Sequence, residues 1–454
     1  MKLPIRTRGL PMALVCAALV FGPDIRAGET NRLVWHKTAD RVDADLRDMP
    51  LPRLLGQIAA QTGWRVYVEP GVTHSASVKF AGLSSVEALR ILLGHVNFAL
   101  QPQANGPPRL LVFNTAAQNA TQPVHAARAA PKHVPNELLV KLKPGADIEA
   151  LAKSLGAKVV GRNDKLGLYL LQFDNAADTD AALAKLRGDR DVAQAGYNDY
   201  FNPPPSIQNS GGPTGPPFSL KLKPPGDSGK TIVGLIDTHV QSLGADLDPF
   251  LLKQISVAGQ ANDDGDVTHG TAMAEAMLAA LAGASHGSTS VQIQAVDVYG
   301  PNPTTTTWNV ALGIQAAVDA GANVLNLSLG SSENSPILDD VIAQALADGI
   351  PVFAAAGNTP GSPDYPAQVP GVLAVTAVSQ DGQLAPYANS GNWVDFAFPG
   401  ASVIYFDGQN YFVQGTSVST ATATGVAAGN KAALNWSWAQ VEAAMLKRFA
   451  APTQ

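Results

Sequence analysis

The chain has 454 residues, of which 46% are hydrophobic and 15% are charged, so two to four globular domains with sizeable cores are expected. The formal net charge is −6 and no long basic run is present, which argues against nucleic acid as a partner. The single cysteine, Cys16, lies near the N-terminus, so the remainder offers no disulfide, cysteine nucleophile or cysteine metal site.

Residues 1–27 have the pattern of an export signal. Basic residues precede a short apolar run at 10–21, and Ala27 provides a small residue for cleavage. A membrane anchor is the alternative, but the apolar run is short for a bilayer span. We therefore expect a signal peptide and an exported protein, in the periplasm or outside the cell.

Residues 30–115 predict a small α+β module. Apolar residues at helical spacing from Leu51 to Ala59 predict a helix that ends at Gly63. Ser84 and Glu87 form a capping-box pattern before a second helix. Alternating apolar residues at 64–68, 78–80 and 110–113 predict strands.

This module resembles the secretin and TonB short N-terminal (STN) domain. The resemblance lies in the segments MPLPRLLGQIAAQTGWRVYVEPGV and LSSVEALRILLGHVNFAL. It implies a binding or docking module, an envelope partner, and a bacterium with two membranes.

Residues 116–134 lack apolar periodicity and predict a flexible linker, in which His125 and His133 are solvated. Residues 135–202 then show the pattern of a four-strand, two-helix α+β domain. Their segments NELLVKLKPGADIEALAKSLGAKVVGRNDKLGLYLLQF and DVAQAGYNDYF resemble the I9-like propeptide of subtilases. The resemblance implies a folding template and intramolecular inhibitor; an unrelated α+β domain is the alternative.

The segment 203–228 is rich in proline and predicts a second linker, accessible to proteolysis. We expect maturation to cleave the chain between about Asp199 and Gly229. Residues 229–450 follow as the largest predicted domain.

Buried strand patterns and helical patterns alternate in residues 229–450, which predicts a parallel α/β sheet flanked by helices. Predicted strands lie at 232–236, 291–298, 323–327, 351–355 and 372–378, and predicted helices at 307–320 and 336–348. Functional sites form at the carboxyl ends of such strands.

Four polar residues stand at strand ends or helix starts in this domain: Asp237, His269, Asn358 and Ser417. Each alone is more typical of a structural role, such as a turn, a core histidine or a helix cap. Together, the chain order Asp, His, Ser is that of the subtilisin type of serine protease. Asp237 would orient His269, Ser417 would be the nucleophile, and Asn358 with the Ser417 N–H would bind an oxyanion.

The domain resembles the subtilase (S8) peptidases in VGLIDT, HGTAMAEAM, VLNLSLG, AAAGN, YPA, FAFPG and GTSVSTATATGVAA. The resemblance implies the same four roles and a substrate-lining strand at Ser328, Leu329 and Gly330, which would bind an extended peptide by strand addition. Ala356 and Gly357 are predicted to line the same cleft. No cofactor is expected for the chemistry, and the family implies structural calcium without locating it.

The chain departs from the family pattern beside each triad residue. His239 stands where glycine usually follows Asp-Thr, Ala272 and Glu275 replace the usual histidine and glycine, and Val418 follows Gly-Thr-Ser. None of these changes removes a reacting group.

Three further features are ambiguous. Residues 262–266 are acidic like a calcium loop but lack its glutamate. Glu333 and Asp364 either flank the cleft or lie on the surface. The small residues before Asn358 indicate an apolar subsite.

The sequence predicts an exported subtilisin-type serine endopeptidase, made as a self-processing zymogen and acting on proteins or peptides. The alternative is a non-catalytic or self-cleaving envelope protein whose STN-like module mediates binding or signalling.

Overall fold

The computed structural model describes residues 32–36, 40–103, 107–124, 132–201, 207–209, 222–223, 231–262, 265–285, 287–362 and 364–452. The predicted signal peptide at 1–27 and most of the segment 203–228 lie outside these residues. No helix within the described ranges is long and apolar enough to cross a membrane.

The first unit contains two small sheets and two helices around one core. Its strands are β1 (Arg32–His36), β2 (Arg41–Pro50), β3 (Arg65–Val68), β4 (Ser75–Leu83), β5 (Asn97–Gln101), β6 (Arg109–Phe113) and β7 (Gln122–Val124), and its helices are α1 (Leu51–Thr62) and α2 (Ser85–Leu93). The sheet orders are β1-β2-β4 and β5-β6-β3-β7. Helix α1 ends at Gly63 with a φ of 74°, and α2 begins with the predicted capping box of Ser84 and Glu87.

The predicted linker at 116–134 is wrong at both ends. Strand β7 pairs with β3 through Val124 and Val66 and so belongs to the first unit. At the other end, His133 begins the first strand of the second unit and its ring stacks on Tyr197, with 3.9 Å between centroids. These short pairings use backbone hydrogen bonds and leave no apolar periodicity in the sequence. His125 lies outside the described residues.

The second unit is an antiparallel sheet covered on one face by two helices. Its elements are β8 (His133–Leu142), α3 (Ile148–Leu155), β9 (Lys158–Asn163), β10 (Leu168–Gln172), α4 (Ala176–Leu186) and β11 (Val192–Phe201). The strand order is β11-β8-β10-β9. Helix α4 begins at Ala176 because Asn175 caps it by accepting a hydrogen bond from the Asp178 N–H.

The third unit is built on a seven-stranded sheet whose strands are all parallel. The strands of the whole unit, within and outside this sheet, are β12 (Gln208–Asn209), β13 (Thr231–Asp237), β14 (Ile255–Ser256), β15 (Val291–Asp297), β16 (Thr305–Thr306), β17 (Val324–Leu327), β18 (Val352–Ala355), β19 (Leu373–Val378), β20 (Phe396–Pro399), β21 (Ala401–Phe406) and β22 (Gln409–Gln414). Its helices are α5 (His269–Ala284), α6 (Thr307–Asp319), α7 (Pro336–Ala347), α8 (Thr416–Leu434) and α9 (Trp438–Phe449).

The parallel sheet has the order β14-β15-β13-β17-β18-β19-β20. One face packs against α6 and α7, and the other packs against α5, α8 and α9. Helices on both faces explain the nearly continuous burial of β13, β15, β17 and β18. The predicted α/β fold class is confirmed.

The second unit packs on the α6 and α7 side of the third. Strand β11 pairs with β16, with Tyr200 opposite Thr306, and Phe201 is buried in the same core as Trp308. Asn198 Oδ1 accepts a hydrogen bond of 3.0 Å from the Trp308 N–H. Helix α6 receives no such bond from the side chain of its own N-cap residue, so the second unit caps this helix.

Candidate active site

Asp237 and His269 form a buried hydrogen-bonded pair. Asp237 is the last residue of β13 and His269 is the first residue of α5. The distance between His269 Nδ1 and Asp237 Oδ1 is 2.7 Å, and the two residues are 6% and 1% exposed. This contact fixes one imidazole nitrogen against a carboxylate, as a general base requires.

The close approach of α5 to the end of β13 depends on Gly270. The Gly270 N–H donates to Thr238 Oγ1 at 2.8 Å, and a Cβ at this position would overlap the Thr238 carbonyl oxygen. Thr268 caps the helix by accepting a hydrogen bond of 3.2 Å from the Thr271 N–H. The sequence Thr-His-Gly-Thr therefore places His269 beside Asp237.

Ser417 is the second residue of α8, and it is 5% exposed. Its Oγ donates to the Ser328 carbonyl oxygen at 3.1 Å, and Ser328 Oγ donates to the Ser417 carbonyl oxygen at 3.0 Å. Asp237 ends β13 and Ser328 follows β17, and these two strands pair in parallel, so His269 and Ser417 lie at the same edge of the sheet. His269 Nε2 is buried without a hydrogen-bond partner among the described residues.

Asn358 and Ser417 bring two hydrogen-bond donors to the start of α8. Asn358 Oδ1 accepts from the Thr416 N–H at 2.8 Å and from Thr416 Oγ1 at 3.1 Å, which leaves the side-chain amide hydrogens free to donate elsewhere. The Asn358 Nδ2 atom lies beside Gly415, 3.2 Å from where a Cβ would stand. The Ser417 N–H lies in the first turn of α8, where amides have no intrahelical acceptor.

The predicted cleft residues follow two neighbouring strands. Ser328, Leu329 and Gly330 follow β17, and Ala356 and Gly357 follow β18, which pairs with β17 in parallel. Ala356 is fully buried and its carbonyl oxygen accepts from Asn389 Nδ2 at 2.9 Å. The contact of Ala356 with substrate stays a prediction.

The two acidic residues that were ambiguous in the sequence have different positions. Glu333 forms an ion pair of 2.6 Å with Lys132 of the second unit. Asp364 lies between Gly330 and Gly357, inside the cleft. Burial raises the pKa of Asp364 to about 6.

Glu275 is a buried carboxyl group whose environment the sequence did not indicate. It is 2% exposed, and its Oε1 accepts a hydrogen bond of 2.8 Å from the Tyr405 N–H at the hairpin of β21 and β22. Burial raises the pKa of Glu275 to about 7, although the hydrogen bond from the Tyr405 N–H lowers it. Its position within a run of small apolar residues was the only signal available.

The calcium loop suggested at 262–266 is only partly described, because residues 263 and 264 lie outside the described ranges. Elsewhere in those ranges, no group of three or more His, Cys, Asp or Glu residues is arranged to hold a metal ion.

Two family models and several known proteins match the chain. The subtilase family model matches residues 228–453, and the fervidolysin N-terminal prodomain model matches residues 119–198. A thermophilic serine proteinase from Bacillus sp. (strain AK1) is 31% identical over 316 residues, which cover 65% of this chain and 78% of that protein. Alkaline elastase YaB from Bacillus sp. (strain YaB) is 33% identical over 192 residues, 41% of this chain and 50% of that protein.

A solved structure shares the fold. The crystal structure of fervidolysin from Fervidobacterium pennivorans, described as a keratinolytic enzyme related to subtilisin, aligns with a TM-score of 0.52 at 18% identity. The alignment covers 66% of this chain and 55% of fervidolysin.

Proposed function

Because this chain belongs to the subtilase family of serine peptidases and carries a fervidolysin-like N-terminal prodomain, we propose that it hydrolyses peptide bonds with Ser417 as nucleophile. His269 is the general base and Asp237 orients it. The observation that carries this assignment is the 2.7 Å bond between the buried His269 Nδ1 and Asp237 Oδ1, at the sheet edge where α8 presents Ser417.

In the first half of the reaction, Ser417 Oγ attacks the peptide carbonyl carbon while its proton passes to His269 Nε2. The negative charge that develops on the carbonyl oxygen is stabilised by the Asn358 side-chain amide and the Ser417 N–H. The imidazolium returns its proton to the leaving amine, and an acyl-enzyme remains. Asp237 stays ionised throughout and stabilises the imidazolium.

In the second half, water attacks the acyl-enzyme with His269 again as base, and Ser417 recovers its proton. An extended substrate pairs with the backbone of Ser328, Leu329 and Gly330 by strand addition. This chemistry uses only side chains and backbone amides of the chain. Structural calcium, as in many relatives, is proposed without a location.

The second unit acts as an intramolecular inhibitor in this proposal. Its last strand, β11, ends at Phe201, and the Tyr200 carbonyl oxygen accepts a hydrogen bond of 3.0 Å from Ser331 Oγ. Ser331 directly follows the substrate-lining segment, so the chain leaves β11 at the edge of the cleft. This placement supports self-cleavage between about Asp199 and Gly229.

Export and docking complete the proposed function. The pattern of residues 1–27 supports export to the periplasm or the extracellular space. The first unit has the α+β character of the STN-like module that its sequence resembles, and we propose that it docks to a partner in a two-membrane envelope.

Purified wild-type protein and a Ser417→Ala variant test the enzymatic part. We expect the wild type to cut itself between 199 and 229 and to hydrolyse casein, and the variant to stay full length and inactive. Ser332→Ala, which removes an exposed hydroxyl near the cleft, is the matched control and should process normally. Cleavage of the Ser417→Ala protein at the wild-type position and rate would overturn the proposal.

A further inference from the structure

The cleft contains one ionisable side chain that the proposed mechanism does not use, that of Asp364. A Cβ added to Gly330 would lie 2.8 Å from Asp364 Cβ and 3.0 Å from Asp364 Oδ2, and one added to Gly357 would overlap the same Oδ2. Each glycine belongs to one of the two cleft segments. The Asp364 carboxylate is therefore packed between both walls of the cleft.

Hydrogen bonds hold these walls around Asp364. Tyr365 and Ser331 exchange two backbone bonds of 2.8 and 2.9 Å, which join the Asp364 loop to the segment that contains Gly330. Asn389 Nδ2 donates to the carbonyl oxygens of Ala356 and Ser362, both at 2.9 Å. These bonds fix the positions of the two glycine segments around Asp364 before substrate binds, as a site of defined specificity requires.

The Asp364 carboxylate has no partner among the described residues. Within the described part of the chain, no residue donates a hydrogen bond to it or forms an ion pair with it. Asn389 lies next to it but directs its amide hydrogens to two carbonyl oxygens. An ionised carboxylate that is partly buried and unpaired is unfavourable, and a bound cation would stabilise it.

The pocket is next to the nucleophile. Gly330 is two residues beyond Ser328, whose carbonyl oxygen accepts from Ser417 Oγ, and Gly357 directly precedes Asn358. A peptide that pairs along 328–330, with its reacting carbonyl at Ser417 and Asn358, directs one side chain between the two walls. That side chain belongs to the residue whose carbonyl is attacked.

We propose that Asp364 selects substrates with lysine or arginine at the residue on the acyl side of the cleaved bond. This inference rests on the proposed role of Ser417. In unrelated serine proteases, a carboxylate in the same kind of pocket selects basic residues, because a charge-assisted hydrogen bond replaces the lost hydration of both groups. The small residues before Asn358 predicted an apolar subsite. In this proposal the subsite instead has the Asp364 carboxylate at its base.

Maturation should show the same preference. Between 199 and 229 the basic residues are Lys221 and Lys223, and proline follows Lys223. Cleavage after Lys221 is therefore expected in the wild type once Leu222, which packs in the core of the third unit, has left that core.

The test compares kcat/KM for peptides that differ only at the acyl-side residue, which is Lys, Arg, Gln or Leu. We expect the mature wild type to prefer Lys and Arg by at least about 100-fold. Asp364→Asn should lose most of that preference, so that its kcat/KM values for the Lys, Arg and Leu peptides become similar. Asp381→Asn, which removes an exposed carboxylate, should leave the preference intact.

Two readouts separate this inference from the proposed function. An organophosphonate probe should label Ser417 in both wild type and Asp364→Asn, and benzamidine should slow that labelling in the wild type only. In the wild type, the ratio of kcat/KM for the Lys peptide to kcat/KM for the Leu peptide should decrease as pH falls through about 6, the pKa of Asp364. Protonation of His269 affects both peptides equally and does not change the ratio.

Equal cleavage of the Lys and Leu peptides by a wild type whose Ser417 the probe can label would overturn the specificity alone. An equal loss for all four peptides in a folded Asp364→Asn protein would do the same. Absence of both labelling and cleavage in the wild type would overturn the proposed function and the specificity with it.

Discussion

Ser417 Oγ donates its hydrogen bond to the Ser328 carbonyl oxygen at 3.1 Å, and not to His269. The nucleophile is thus bonded to the segment that receives the substrate backbone. Catalytic hydrogen bonds often tighten only when substrate is present. We infer that Ser417 Oγ turns from the Ser328 carbonyl oxygen toward His269 Nε2 when substrate binds along 328–330.

The pair of Asp237 and His269 gives the first prediction. Asp237→Asn keeps the shape of the carboxylate but presents an amide to His269 Nδ1, which favours the wrong imidazole tautomer. We expect kcat to fall roughly 10⁴-fold with little change in the fold. Peptide hydrolysis and circular dichroism measure the two effects, and a loss of less than tenfold in a folded variant would refute the role of Asp237.

Asn358 gives the second prediction. Asn358→Ala removes an oxyanion donor, and kcat should fall by about 10²–10³ with KM nearly unchanged. This size is the one known for such a donor in another member of the family. Thr416→Val is the control, because it removes the hydroxyl that donates to Asn358 Oδ1 but leaves the amide donor. An equal loss of kcat in both variants would show that Asn358 acts only by positioning α8.

The strands that are buried on both faces could be predicted from the sequence, and the shortest strands could not. Strands β13, β15, β17 and β18 are buried on both faces, so their apolar runs were visible in the sequence, and so were the polar residues at their ends. The two-residue strands β14 and β16 were missed because pairing through backbone hydrogen bonds leaves no side-chain pattern.

The missed cleft features depend on tertiary structure. Asp364 reaches Gly330 and Gly357 only because the loop after Asn358 folds back and pairs with Ser331. The burial of Glu275 was equally hidden, because α5 is apolar on both faces and no helical periodicity distinguishes the position. Loop paths of this kind are not encoded in local spacing.

Asp199 gives the third prediction, on release of the prodomain. Asp199 is 8% exposed, and burial together with the charge of Glu333 raises its pKa to about 7, while Lys132 acts in the opposite direction. Once the prodomain has left, Asp199 should return toward its usual pKa of about 3.9. Between these two pKa values, the prodomain bound to the third unit therefore carries one more proton than the released prodomain. The affinity of the prodomain for the third unit should fall as pH rises through 7.

After self-cleavage, the prodomain should dissociate faster at pH 8 than at pH 5, as measured by recovery of protease activity on dilution. Asp199→Asn should abolish most of this difference. The control is His133→Gln, which changes the residue opposite Asp199 on the neighbouring strand and should keep the wild-type difference between pH 5 and pH 8. An Asp199→Asn complex with the wild-type pH dependence would contradict the prediction.

Glu275 gives the fourth prediction, on stability. Its pKa in the folded protein is about 7, above the ordinary 4.5, so the folded state favours the protonated form. The stabilisation is fully present below pH 4.5 and is lost as pH rises through 7. Glu275→Gln keeps an acceptor for the Tyr405 N–H and avoids the buried charge.

At pH 8, Glu275→Gln should therefore be more stable than the parent by about 1–3 kcal/mol, with little difference at pH 4.5. Melting temperatures in a Ser417→Ala background avoid self-digestion during the measurement. Glu442→Gln, an exposed change on α9, should have no such effect. A lower melting temperature for Glu275→Gln at pH 8 would show that the ionised carboxylate is stabilising.

The identity of the nucleophile is tested most directly by mass-spectrometric mapping of an organophosphonate adduct on the mature protein. We predict a single adduct on Ser417, complete loss of peptide hydrolysis in proportion to labelling, and no adduct in Ser417→Ala. Labelling should also be much slower in His269→Ala, because the base that activates Ser417 is then absent. A proteolytically active protein whose adduct maps to another residue, or whose Ser417 stays unlabelled, would contradict the assignment.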